Sequence, residues 1–250
     1  MFGYSGLTHE IQTMQILKNL YQVGGDLHGI TCDEPGALWN DGNCYALKLN
    51  KGIILFDCGC GNTIDQIFNN LKYWDLDPAG ITHCILTHAH LDHTGAGSYL
   101  QKMGVKIIST QETANAVAKG DERCCGFLYH KLFTPFEVDQ VVQDGEELDV
   151  YGLKIEVNAV PGHSMGCTAY SFVWERKKLV VSGDLIGTLL AGDFGWSGSI
   201  DFDKKQYINS LLKFAKTDAD IMLPGHGMAY FHQPRRRVEE VLNAALMQWR

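Results

Sequence analysis

Residues 88–93 hold three imidazoles and a carboxylate, His88, His90, Asp92 and His93, within the run Thr87 His88 Ala89 His90 Leu91 Asp92 His93 Thr94 Gly95. Histidine is an uncommon residue that is costly to bury charged, and neutral imidazole is the commonest protein ligand for zinc and related metals. The run follows directly on the apolar stretch Ile81 to Leu86, so it begins where a buried strand ends. Ligands on a short loop anchored to a strand are stiff enough to hold a divalent cation. The chemistry implied is metal binding.

Three further polar clusters share that placement. Pro161 Gly162 His163 Ser164 follows a strand expected over Lys154 to Val160. Ser182 Gly183 Asp184 follows Leu179 to Val181, and Pro224 Gly225 His226 Gly227 follows Ile221 to Leu223. Loops that leave sheets at one edge converge in space, and a glycine beside each polar residue lets the backbone turn sharply. His163 or His226 alone reads as a hydrogen-bonded core histidine; four equivalent placements together read as one site. Its seven nitrogen and oxygen donors exceed what one tetrahedral cation uses, and a carboxylate such as Asp184 can give one oxygen to each of two ions. Two ions roughly 3.5 to 4 Å apart share a water, lower its pKa towards neutrality and aim the hydroxide. Solvent is then the nucleophile, leaving Ser164 and Ser182 as turn residues. Asp57, at the end of an apolar strand, either fixes an imidazole tautomer or caps a turn.

The elements that must position these residues are legible as short β-branched runs. Strands are expected over Ile53 to Phe56, His83 to Leu86, Val105 to Ile108, Lys154 to Val160, Tyr170 to Val173, Leu179 to Val181 and Ile221 to Leu223. Helical spacing covers Thr63 to Trp74, Gly97 to Lys102, Gln111 to Ala118, Lys204 to Ala215 and Arg235 to Trp249. Asp203 is the expected N-cap of the fourth helix, and Pro234 stands just inside the start of the fifth. Strands that partly alternate with helices imply mixed sheets covered by helices. The least regular segment, Lys119 to Asp139, carries Cys124, Cys125, Phe127, Tyr129, His130, Phe133, Pro135 and Phe136. It either lids the site or covers core.

The 250 residues, 45% of them hydrophobic, suffice for a substantial core, and no linker or repeat divides them, so residues 1–250 are expected to form one domain. A net charge of −8 is the wrong sign for neutralising phosphates, which argues against nucleic acid. The basic run Arg235 Arg236 Arg237 faces Glu239 and Glu240 at helical spacing and reads as a solvated face, with an anion contact as the alternative. Neither a secretory pattern nor a membrane-length apolar window is found, so a soluble, cytoplasmic protein with no membrane partner is expected. The eight scattered cysteines are then reduced thiols.

In combination, Thr87 to Gly95, His163, Asp184 and His226 resemble the HxHxDH signature and the distant His, Asp and His of the metallo-β-lactamase superfamily, and the resemblance runs from Asn43 and Asp57 Cys58 Gly59 to Gly225 His226 Gly227. The resemblance implies an α/β fold, an αβ/βα sandwich of two mixed β-sheets flanked by helices. It also implies that His88, His90 and His163 hold one metal, that Asp92, His93 and His226 hold a second, and that Asp184 bridges them. The cofactors implied are two divalent ions, zinc first, with iron or manganese also accepted by such donors. Asp92 and Asp184 are the expected catalytic residues of a metal-dependent hydrolase acting on a small thioester, lactone or ester.

Within the family, flavodiiron members place Glu where His90 stands, and exported β-lactamases usually place Cys or Ser where Asp184 stands. Nuclease branches add large inserted domains or basic arms. The pattern is similar to glyoxalase II, but only Met228 to Arg250 follows Gly227, too little for that enzyme's glutathione-binding helical domain. Quorum-signal lactonases usually carry a Tyr soon after the bridging Asp, whereas this chain continues Leu185 Ile186 Gly187. A mononuclear iron persulfide dioxygenase and a phosphodiesterase are the alternatives on the same scaffold. Gly187 to Asp203, with Phe194, Trp196 and Gly192, Gly195 and Gly198, is a candidate wall of the substrate pocket, core packing being the alternative for both aromatics.

Overall fold

Ile53, Ile54, Leu55 and Phe56 are all buried, the pattern of a strand covered on both faces rather than of one with a solvated side. The computed structural model, which describes residues 13–25, 41–186 and 197–249, shows what covers it. The first sheet contains β1 (Met14–Leu17), β2 (Leu20–Gly24), β3 (Cys44–Leu49), β4 (Gly52–Phe56), β5 (Ile81–Ile85), β6 (Lys106–Thr110) and β7 (Gln140–Val142), side by side in chain order. Pairing is antiparallel from β1 to β4 and parallel from β4 to β7. The second sheet contains β8 (Glu147–Val150), β9 (Leu153–Ala159), β10 (Thr168–Trp174), β11 (Lys177–Gly183) and β12 (Ile221–Pro224), in the order β12-β11-β10-β9-β8. All its pairs are antiparallel except β11 with β12.

Three apolar layers glue the sandwich. Between the sheets, Tyr45, Leu47, Ile54 and Phe56 of the first meet Tyr170, Phe172, Leu179 and Leu223 of the second. On the outer face of the first sheet pack α1 (Ile64–Tyr73), α3 (Gly97–Lys102) and α4 (Gln111–Lys119), with the short α2 (Leu91–Thr94) preceding α3. On the outer face of the second pack α5 (Lys204–Phe214) and α6 (Pro234–Gln248), through Tyr207, Leu211, Val238 and Val241. Each fully buried Leu, Ile or Phe contributes about 1.5–3 kcal/mol relative to exposure. The αβ/βα sandwich of two mixed sheets expected from the sequence is the observed fold.

Each expected strand and helix exists, with ends moved by a residue or two. Asp203 caps α5 by accepting from Gln206 N–H at 2.8 Å, and Pro234 opens α6. The periodicity missed β1, β2, β3, β7, β8 and α2. β1, β7, β8 and α2 have only three or four residues, β3 has no β-branched residue, and β2 carries buried Gln22, whose Nε2 donates to Asn43 Oδ1 at 2.8 Å. Lys119 to Asp139 contains two 3₁₀ turns, Glu122–Cys124 and Gly126–Tyr129, and no strand. No disulfide joins the seven described cysteines, all buried; Cys32 lies outside the described residues, as do positions 187–196 of the candidate pocket wall. Among the described residues, no helix is long and apolar enough to cross a membrane.

Candidate metal centre

β10 is antiparallel to both β9 and β11, so those two run in the same direction, and β12 runs parallel to β11. His163, Asp184 and His226 follow the C-terminal ends of these three strands and so leave one edge of the second sheet together. His88 to His93 follow β5 in the first sheet. Hydrogen bonds fasten the two sheets at this edge: Tyr170 Oη donates to Leu86 O at 2.9 Å, Thr168 N–H to Thr87 O at 2.9 Å, and Tyr45 Oη to Pro224 O at 2.8 Å. Asn43 Nδ2 donates to the carbonyls of Pro224 and Gly227 at 3.0 and 2.8 Å. These bonds set the height at which each loop leaves its strand.

All seven sequence-predicted residues meet there. His163 Nε2 lies 3.1 Å from His90 Nδ1, and His93 Nε2 lies 3.3 Å from His226 Nε2. Asp92 Oδ2 is 3.1 Å from His226 Nε2 and 3.4 Å from His93 Nε2. Asp184 turns Oδ1 to His93 Nε2 at 3.4 Å and Oδ2 to His163 Nε2 at 3.3 Å, with His226 Nε2 and His88 Nε2 at 3.5 and 4.0 Å from Oδ2. Nitrogens bound tetrahedrally to one cation at about 2.0–2.1 Å stand roughly 3.3 Å apart, which is the spacing found here. Donor atoms of His88, His90 and His163, of His88, His93 and Asp184, and of Asp92, His93 and His226 lie within 4.8 Å of one another in each set. His88 Nε2 and Asp184 Oδ1, both buried, have no hydrogen-bond partner. A divalent cation satisfies both, so the donor set fits a metal site.

Electrostatics point the same way. Burial and the neighbouring imidazoles hold His88 well below the usual histidine range and His90 down at about 3, leaving neutral rings with lone pairs to give. His93 is also buried, but the carboxylates of Asp92, Asp184 and Asp57 outweigh burial and push it up to about 10. For His226, too, burial acts downward, and the carboxylates of Asp184 and Asp92 outweigh it and raise the ring above the usual histidine value. Burial would raise Asp92 and Asp184; the imidazoles around them, His93 first for Asp92 and His226 first for Asp184, pull both below the ordinary carboxylate value. The two buried carboxylates thus raise the proton affinity of His93 and His226, the mark of a site short of positive charge. A divalent cation supplies that charge.

Around these seven stand residues of two kinds. Asp57 accepts from Thr87 N–H and Thr87 Oγ1 at 2.8 and 2.7 Å, and its Oδ2 lies 2.8 Å from His93 Nδ1, so it both closes a turn and orients the His93 ring. Ser164 Oγ contacts Cys167 Sγ at 3.3 Å and Ser182 Oγ contacts the carbonyl of Gly183 at 3.4 Å, local bonds of turn residues. The sequence reading missed Asp41, which holds the Asp57-to-Thr63 turn by accepting from Cys60 N–H at 2.6 Å and Thr63 Oγ1 at 2.9 Å. It also missed Ser199, 3.4 Å from His90 Nε2, and it left the orientation of Tyr129, whose phenol faces Asp92, unread. No local signal marks Asp41 or Ser199. Only the folded chain brings them near.

The sequence model of the metallo-beta-lactamase superfamily matches residues 37–226. A probable metallo-hydrolase of Bacillus subtilis is 29% identical over 189 residues, 74% of this chain and 84% of that protein. An atrochrysone carboxyl ACP thioesterase of Aspergillus fumigatus is 28% identical over 83% of this chain, which spans 58% of the fungal protein. The hydroxyacylglutathione hydrolase GloC of Haemophilus influenzae is 26% identical over 74% of this chain and 85% of its own length. A metallo-beta-lactamase of Cronobacter sakazakii superposes with a TM-score of 0.75 at 21% identity, covering 96% of this chain and 97% of the other. With the matched region reaching from before the first sheet-fastening residues to the last histidine of the centre, this chain belongs to the metallo-beta-lactamase superfamily.

Proposed function

We propose that this chain is a dinuclear metal-dependent hydrolase that cleaves a small acyl substrate: a thioester, lactone or ester. His88, His90 and His163 would hold one divalent cation and Asp92, His93 and His226 the other, with Asp184 shared. The observation that carries the reading is the pair of Asp184 oxygens facing different imidazoles, Oδ1 towards His93 and Oδ2 towards His163. Such metals, when bound, supply Lewis acidity and lower the pKa of water towards neutrality.

The protein's own groups do the rest. Asp57 holds the His93 ring through Nδ1, which fixes Nε2 as the donor. Thr87 Oγ1, bonded to Asp57 Oδ2 and 3.1 Å from His88 Nδ1, does the same for His88 and leaves Nε2 facing the centre. Asp92 Oδ2 borders the cluster and is the carboxylate we assign to take a proton and return it to the leaving group. Neither Ser164 nor Ser182 has a base beside it, which supports solvent as the nucleophile. A relative whose name is that of a thioesterase puts thioesters first in a screen.

Elemental analysis of protein purified without added metal, followed by assay on thioesters, lactones, aryl esters and phosphodiesters, tests the proposal. About two zinc or manganese per chain with acyl hydrolysis supports it; one iron with oxygen uptake on a persulfide overturns it. Asp184→Ala is expected to lose metal and nearly all activity, about 10³-fold or more, while Ser164→Ala keeps both. Equal loss in both variants would refute the solvent-nucleophile scheme.

A further inference from the structure

His88, His93, His163 and His226 turn Nε2 towards the centre, whereas His90 turns Nδ1, which lies 3.1 Å from His163 Nε2. The outer nitrogen of His90 is therefore Nε2, and it points away from the groups that serve its neighbours. Asp57 is bonded to Thr87 and lies at His93 Nδ1, and Thr87 Oγ1 stands at His88 Nδ1. Ser199 serves His90 instead. Its hydroxyl, 3.4 Å from His90 Nε2, is buried and donates to Asp201 Oδ1 at 2.5 Å. Asp201 Oδ2 accepts from Met165 N–H at 3.0 Å, so the same carboxylate holds the loop that carries His163.

The turn that bears these two residues is firmly built. Phe202 N–H donates to Ser199 O at 3.2 Å, and Asp203 N–H donates to Gly162 O at 2.9 Å, next to His163. From the other side Cys125 Sγ, also buried, lies 3.9 Å from Ser199 Oγ. The direction of each bond follows from the chemistry. A carboxylate accepts, so the single hydroxyl proton of Ser199 goes to Asp201, and towards His90 the oxygen is an acceptor. The hydrogen of the His90 ring then sits on Nε2 and its lone pair on Nδ1, the nitrogen that faces the centre. The order histidine, serine, carboxylate is not that of a nucleophilic triad, in which the imidazole stands in the middle and takes the serine's proton.

We propose that Ser199 and Asp201 are positioning residues for the cation held by His88, His90 and His163: Asp201 orients the Ser199 hydroxyl, Ser199 fixes the His90 tautomer, and the Met165 bond sets the His163 loop beside it. The inference rests on reading those three histidines as one cation's ligands, and it names residues outside the seven donors on which that cation depends. Asp57 orients His93 directly, from the first sheet. Asp201 does the same for His90 through a hydroxyl, from the segment that follows the second sheet's β11.

The test follows metal rather than turnover. Full-length protein stripped with chelator is titrated with zinc by calorimetry and with cobalt by absorption, circular dichroism confirming the fold of each variant. Ser199→Ala is expected to weaken one of two ions by about 10–100-fold and leave the other at parental affinity. Asp201→Asn should weaken the same ion, and Ser199→Thr, which keeps the hydroxyl, should bind it as the parent does. In cobalt-loaded protein, the exchangeable N–H proton of a ligand imidazole gives a paramagnetically shifted resonance. The one from His90 should vanish through exchange with water in Ser199→Ala and persist in Ser199→Thr, which a purely space-filling role would not produce. Parental affinity with every such resonance retained in Ser199→Ala overturns the proposal. None of these readouts requires a substrate. If a single ion binds and Ser199→Ala weakens it, the dinuclear reading fails and the role of Ser199 stands; if two bind and neither is weakened, the reverse holds.

Discussion

His93 shows how tightly individual residues are constrained around the centre. One ring nitrogen is committed to Asp57, the other faces His226, Asp92 and Asp184, and the ring has no exposure. Asp41, outside the donor set, carries a different constraint. Burial pushes its carboxyl up to about 6, while hydrogen bonds from Cys60 N–H and the Thr63 hydroxyl pull it down, and its Oδ2 is buried without a partner. A carboxyl raised in the folded state contributes stability fully below its unfolded value of 3.8, and that contribution is lost as pH rises through 6. Asp41→Asn removes this dependence. In chelator, the stability of the variant relative to the parent should be greater at pH 7.5 than at pH 5 by about 1 kcal/mol. Urea denaturation at the two values measures it, and a difference independent of pH would show that Asp41 stays ionised.

At the scale of elements, the centre depends on where strands stop and how closely the next residue turns. Gly162, at φ +141°, brings the His163 loop against the Tyr207 backbone at the start of α5, where no side chain fits. Gly225, between β12 and His226, faces inward, and a Cβ there would overlap Asp184 Oδ1 and come within 2.9 Å of His93 Cε1. Gly225 is not in the left-handed region, so Gly225→Ala is expected to fold with a small shift away from the Gly183 backbone, yet bind metal about tenfold or more weakly because Asp184 is displaced. Circular dichroism and metal titration on the same sample check this; full loading at parental affinity would mean that the centre tolerates the shift.

For the whole molecule, the centre is a clamp between the two sheets. It draws His88 to His93 from the first and His163, Asp184 and His226 from the second, at the edge already fastened by Tyr45, Tyr170 and Asn43. A cation that binds only the folded chain stabilises it by mass action, about 4 kcal/mol at a thousandfold excess over Kd. For a chain of this length, that should lower Tm on chelation by roughly 8–16 °C, recovered on adding metal back. An unchanged Tm after complete removal would show that the seven side chains hold the sheets together without an ion.

The sequence alone determined the donor types and the strand ends that carry them, because an imidazole cluster after an apolar run is a local pattern and the strands are set by local periodicity. It also determined the sandwich, through the resemblance carried by those motifs. The tertiary structure decided which nitrogen of each ring faces inward, that Asp57 serves His93, and that Asp41 and Ser199 join the surroundings. The reason is physical: periodicity reports which face of an element is buried, but the partner across a sheet or a loop is fixed only when distant segments pack together.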